Sequence, residues 1–126
     1  MPIISIQASL PKNEDSVPQM LSEIREQGAR AIDNDPENIW VIFIPIQSTH
    51  TTLGPNCPIV TIMANRGRTP EQKTALVSAI SEIVGKGLSA PAKNVWVHYE
   101  EMDPQNIWFS SNWSGINAQC GSVNFI

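Results

Sequence analysis

The chain has 126 residues, 41% of them apolar and 16% charged, and eight Lys and Arg against twelve Asp and Glu leave a formal net charge of -4. This length suits one domain with a buried core, and the composition excludes intrinsic disorder and fibrous repeats. The negative field disfavours nucleic acid and anionic membrane surfaces as partners, so no nucleic-acid or membrane role is expected. Apolar runs are too short to span a bilayer, and Met1-Pro2-Ile3-Ile4-Ser5 lacks the basic start and apolar stretch of a signal peptide; a cytoplasmic protein is the expectation. Cys57 and Cys120 have no metal-site spacing and read as reduced thiols.

In chain order, residues 2–8 form a β-branched run with Ile at alternate positions, which predicts a strand. Val17, Met20, Leu21, Ile24, Gly28 and Ala31 share one helical face, behind a capping-box pattern at Ser16-Val17-Pro18-Gln19. Residues 39–46 predict a second strand, and the Ser-, Thr-, Gly- and Pro-containing stretch 47–57 a linker. Residues 58–64 predict a third strand. A second helix follows, with Leu76, Ile80, Ile83, Val84 and Gly87 on one face, the Lys73 stem beside them, and a clearer capping box at Thr69-Pro70-Glu71-Gln72. Residues 95–99 predict a fourth strand, and 103–126 a polar extension.

These elements repeat. Pro2-Ile3-Ile4-Ser5-Ile6 returns as Pro58-Ile59-Val60-Thr61-Ile62, and Asn38-Ile39-Trp40-Val41 as Asn94-Val95-Trp96-Val97, both at an offset of 56 residues. One shared offset for two separate matches indicates a duplicated unit, about 2–46 and about 58–102. Each unit reads strand-helix-strand, a right-handed parallel crossover. Two such units joined edge to edge give an α+β fold: a four-stranded sheet with both helices on one face. The opposite face, rich in Ile, Val and Trp, then requires cover from copies of the same chain.

The string Pro58 to Arg68 with Thr69-Pro70-Glu71-Gln72-Lys73, followed by Leu88-Ser89-Ala90-Pro91 and Glu101-Met102, resembles the tautomerase superfamily, and its 4-oxalocrotonate tautomerase branch in particular. Pro2, directly after Met1, fits the same family. Tyr99 to Trp108 is similar to the macrophage migration inhibitory factor branch, which carries the doubled unit in one chain; the likeness spans about residues 2–109. It implies a fused tautomerase-like chain, a homotrimer, and cofactor-independent keto-enol proton transfer on a small carboxylic acid.

The resemblance assigns the general base to Pro2. A proline within a chain has an amide nitrogen without a basic lone pair, whereas a terminal proline is a secondary amine, so Met1 must be removed. Burial and a nearby guanidinium would favour the neutral amine needed near pH 7. Pro58 repeats the motif in mid-chain and cannot be a base.

For the substrate carboxylate the resemblance points to the slot occupied by Arg68 in the second repeat and Lys12 in the first, with Arg66 as a neighbouring cation. The family's strand arginine is replaced by Trp96, and by Trp40 in the first repeat. An indole offers one donor and an apolar face, so monoacids such as an arylpyruvate enol suit the site better than diacids. His98, two residues from Trp96 on the same strand face, and Trp108, placed where the family has an apolar wall, complete the candidate substrate-binding set. Asn106 adjoins that wall. His50 carries a weaker expectation, and Glu100, Glu101 and Asp103 read as a solvated edge, with dehalogenase or decarboxylase chemistry the less favoured branch. The alternative is a trimeric binding protein of the same fold with weak or no catalysis.

Overall fold

The computed structural model describes residues 2–54 and 56–107; Met1, Trp108 and Cys120 lie outside the described residues. The elements run β1 (Ile3–Ala8), α1 (Ser16–Ala31), β2 (Trp40–Pro45), β3 (Ile59–Asn65), α2 (Pro70–Gly87) and β4 (Trp96–Met102). Short 3-10 turns occupy Pro36–Asn38, Ser48–His50, Ala92–Asn94 and Pro104–Asn106. The turns before and after β2 recur before and after β4 at the 56-residue offset, so the duplication reaches beyond the strands and helices.

Each unit makes a parallel pair, β1 with β2 and β3 with β4, and the pairs join through antiparallel β1 and β3, giving the order β2-β1-β3-β4. Antiparallel joining of two equal units creates a pseudo-twofold axis normal to the sheet, which is why α1 and α2 share one face. Ile4 and Ile6 of β1, Val60 and Ile62 of β3, Ile24 of α1 and Leu76, Ile80 and Val84 of α2 are all fully buried between sheet and helices. Full burial of such side chains is worth about 1.5–3 kcal/mol each.

The helices end alike. Asp33 and Ser89, offset by 56, both take left-handed backbone (φ 52° and 55°), and Asn34 N–H donates to Ala29 O (2.9 Å) as Ala90 N–H donates to Gly85 O (2.8 Å). This closure satisfies helix carbonyls that would otherwise lack partners. Their starts differ. Thr69 and Gln72 form the expected capping box on α2. On α1 the N-cap is Asp15, with no side-chain cap, and Ser16 is already the first helical residue, its Oγ donating to Asn13 O at 2.8 Å. The box read at Ser16 is therefore not formed: that hydroxyl is spent on the loop behind it.

Gly85 is required by close approach. A Cβ there would lie 2.8 Å from Ala90 O and 3.2 Å from Ala92 N, both backbone atoms of the turn leading to β4. Gly85→Ala is expected to cost about 1–3 kcal/mol through overpacking, read as a lower urea midpoint. Gly87→Ala meets the flexible Met20 side chain instead, with Sδ at 2.7 Å, and should cost less; the reverse order would refute this account.

The strands' other face carries Ile3, Ser5 and Gln7 of β1, Ile59, Thr61 and Met63 of β3, Trp40, Ile42 and Ile44 of β2, and Trp96, His98 and Glu100 of β4. Among the described residues nothing covers it: Trp96 is 68% exposed and Ile42 47%. β4 is longer than the sequence suggested, carrying Glu100 and Glu101 inside the strand.

Candidate functional site

Pro2 is fully buried at the head of β1, and its carbonyl accepts a hydrogen bond from Trp40 N–H at 3.1 Å. Ile3 stands opposite both Trp40 of β2 and Met63 of β3. Because β3 runs antiparallel, continuing that register sets Pro2 beside the end of β3, where Ala64 and Asn65 lead into Arg66 and Arg68. The turn at Gly67, with φ 115°, sends the chain back toward α2. Such backbone suits glycine because a Cβ would be strained there.

Arg68 is half-buried and braced: its Nη1 donates to Asn65 O at 2.9 Å. Its Nε is buried without a hydrogen-bond partner among the described residues, as are Asn65 Oδ1 and Tyr99 Oη. Leaving a buried polar atom unpaired typically costs about 1–3 kcal/mol, so a polar partner would be stabilising at each; Asn65 and Arg68 lie at the end of β3 and in the loop after it. Arg66 is exposed by contrast, and its guanidinium is 3.7 Å from the Asp103 carboxylate, a loose surface pair. Lys73, in the first turn of α2, donates to Glu101 at 2.7 Å and lies 5.5 Å from the Tyr99 ring centroid. The acidic run thus divides: Glu101 holds Lys73, Asp103 caps the turn at Pro104–Asn106, and Glu100 points to the open face.

The remaining candidates scatter. Trp40 is at the Pro2 end, on the open face. Trp96 stands opposite Ile59, and its N–H donates to Pro58 O at 2.9 Å, so it belongs to the other end of the sheet. His98 faces Thr61 at mid-sheet and is exposed. Lys12 lies in the loop after β1, at the Pro58 end, separated from Pro2 by the length of β1, roughly 20 Å at strand rise. His50 sits exposed in the linker turn, and Trp108 lies outside the described residues. One chain therefore brings together Pro2, Trp40, Arg66 and Arg68, but not Lys12, Trp96 or His98.

Asn65 and Tyr99 were not singled out from sequence. The available signal for Asn65 was a carboxamide ending an otherwise apolar strand; nothing in the pattern showed that it would be only 8% exposed.

Comparison with known proteins bears on the family and the fold. A family model described as "Tautomerase enzyme" matches residues 58–112, the second unit and the segment after it. A probable tautomerase of Listeria monocytogenes serotype 4b (strain F2365) is 53% identical over 45 residues, covering 36% of this chain and 74% of the relative. A solved fused 4-OT, described as a wild-type asymmetric trimer, superposes with a TM-score of 0.81 at 18% identity, covering 89% of this chain and 95% of that one. A member of the cis-3-chloroacrylic acid dehalogenase family superposes at 0.74 with 17% identity, covering 88% and 82%; at these identities the likeness is one of fold. The doubled strand-helix-strand sheet recurs in these structures, and the second unit carries the sequence match: the chain belongs to the tautomerase family.

Proposed function

We propose that the chain is a cofactor-independent tautomerase for a small enol or keto monoacid, with the Pro2 amine as general base once Met1 is removed. The observation that carries this reading is the fully buried Pro2 at the same sheet end as Arg68, whose Nε lacks a partner among the described residues. In the forward step the amine takes the enol hydroxyl proton. The oxygen's electrons form the carbonyl, and the electrons of the carbon-carbon double bond take up, at the far carbon, the proton that the Pro2 ammonium returns, so the neutral amine is regenerated and atoms and charge balance without a redox partner. Arg68 binds the carboxylate and draws charge toward itself as the enolate develops. Family membership supports tautomerase activity in general.

The assembly belongs to the same proposal. A face exposing Ile42, Ile44 and Trp96 is too apolar to stand in water, and a homotrimer would bury it. Light scattering at micromolar concentration should give three times the 13.9 kDa chain mass; a monomer would refute it.

Substrate class follows from Trp40, which stands beside Pro2 where an arginine would serve a second carboxylate. A second carboxylate against Trp40 loses water and gains from that side chain one indole donor and no charge, a deficit of about 1–3 kcal/mol relative to an arginine. Phenylenolpyruvate should therefore exceed 2-hydroxymuconate by about tenfold or more in kcat/KM, and Trp40→Arg should narrow that ratio. Preference for the diacid in the unmodified protein would overturn this assignment.

The competing reading, a trimeric binding protein with weak or no catalysis, draws on the tryptophans at both strand-arginine slots. Intact mass separates the two: retention of Met1 on protein made in cells blocks the amine and favours binding.

A further inference from the structure

We propose that the cavity at the other end of the sheet, around Pro58, is a second and non-catalytic site for a small monocarboxylate bearing an apolar group. The cavity holds about 700 Å³ and is lined by Lys12 after β1, Met20 of α1, Pro58 at the head of β3, and Lys86, Leu88 and Ser89 at the end of α2. That volume lies within the usual range of about 300–1,000 Å³ for small-molecule pockets.

The 56-residue offset relates this end to the first. Pro58 corresponds to Pro2, Lys12 to Arg68 and Lys86 to Arg30, so a buried proline ring and cations at two matching positions recur here. What removes the chemistry is one atom: the Pro58 nitrogen is acylated by Cys57 and is a tertiary amide, with no proton to give and no basic lone pair to take one. An acid bound here is held but not isomerised.

Charge selects the ligand. Glu23 also lines the cavity, which sets two ammonium groups against one carboxylate and matches a single negative charge. Lysines act as point charges and accept a carboxylate in several orientations, without the planar fork of arginine. The apolar part has its own surface in Leu10, which lines the cavity while 51% exposed in the chain, and in Met20 below it. The site requires no free amine, so it stands whether or not Pro2 is a base.

The probe is phenylacetate, which has no keto group to isomerise, titrated into the 15N-labelled chain lacking Met1. Amide shifts at Lys12, Asn13 and Ser89 should saturate, and phenylacetamide, the uncharged analogue, should bind about tenfold more weakly. The double variant Lys12→Ala with Lys86→Ala should weaken phenylacetate at these amides about fivefold to tenfold, since both cations are exposed and only partly desolvated by the ligand. Arg68→Ala and Pro2→Ala should leave these shifts in place, whatever they do to turnover. Shifts confined to the Asn65 to Arg68 end, equal binding of phenylacetamide, or undiminished binding in the double variant would overturn the proposal.

Discussion

Pro2→Ala is expected to lower kcat/KM for phenylenolpyruvate ketonisation by about 100- to 10,000-fold, the usual worth of a positioned general base. The Pro2 ring is fully buried in the chain that carries Met1, and an ammonium formed there on Met1 removal would sit against apolar neighbours, so the neutral amine should be favoured and its pKa should fall below that of an exposed terminal proline. Activity should accordingly rise with pH through that lowered value. Ala at the new terminus offers a primary amine without the ring that fixes the lone pair, so both the rate and the position of the inflection should change. Thermal unfolding of the variant separates lost chemistry from lost fold. Undiminished activity in a well-folded Pro2→Ala would remove Pro2 from the mechanism.

Arg68→Ala should raise KM by roughly 10- to 150-fold, because a charge-assisted hydrogen bond to a carboxylate is worth about 1.5–3 kcal/mol. Lys12→Ala should change KM only mildly. The asymmetry comes from antiparallel β1 and β3, which put Arg68 at Pro2's end and Lys12 at the opposite end of the same chain. Arg68 is also braced by Asn65 O, so its guanidinium is already oriented before substrate arrives. Arg68→Lys should recover only part of the loss, since an ammonium keeps the charge but not the fork. A larger effect from Lys12 would mean that the working cation reaches Pro2 from a neighbouring subunit.

The duplication was legible because it preserved spacing: Pro2 with Pro58, Trp40 with Trp96 and Asn38 with Asn94 sit at one offset, and the ladder follows from two copies of a parallel crossover. The capping box at Thr69 was legible for the same local reason, since both of its hydrogen bonds lie within four residues. The box at Ser16 failed because Asn13 O, three residues back, competed for the hydroxyl, a choice made by loop geometry rather than residue type. The site was legible only in part. The repeat matched Arg68 with Lys12 and Trp96 with Trp40 by position alone, and strand direction, a tertiary fact, divided them between two ends of the sheet. Asn65 and Tyr99 escaped notice because their significance is an unpaired buried atom, visible only once every neighbour is placed.

The central claim is that a free, unprotonated Pro2 amine performs the proton transfer. It is tested most directly by following the 15N resonance of Pro2 in the Met1-free chain as a function of pH, alongside kcat/KM for phenylenolpyruvate on the same sample. One ionisation is expected, below that of an exposed terminal proline and shared by the resonance and the rising limb of the rate. A Pro2 amine that titrates as an exposed terminus does, or a rate whose pH dependence ignores the Pro2 titration, would contradict it.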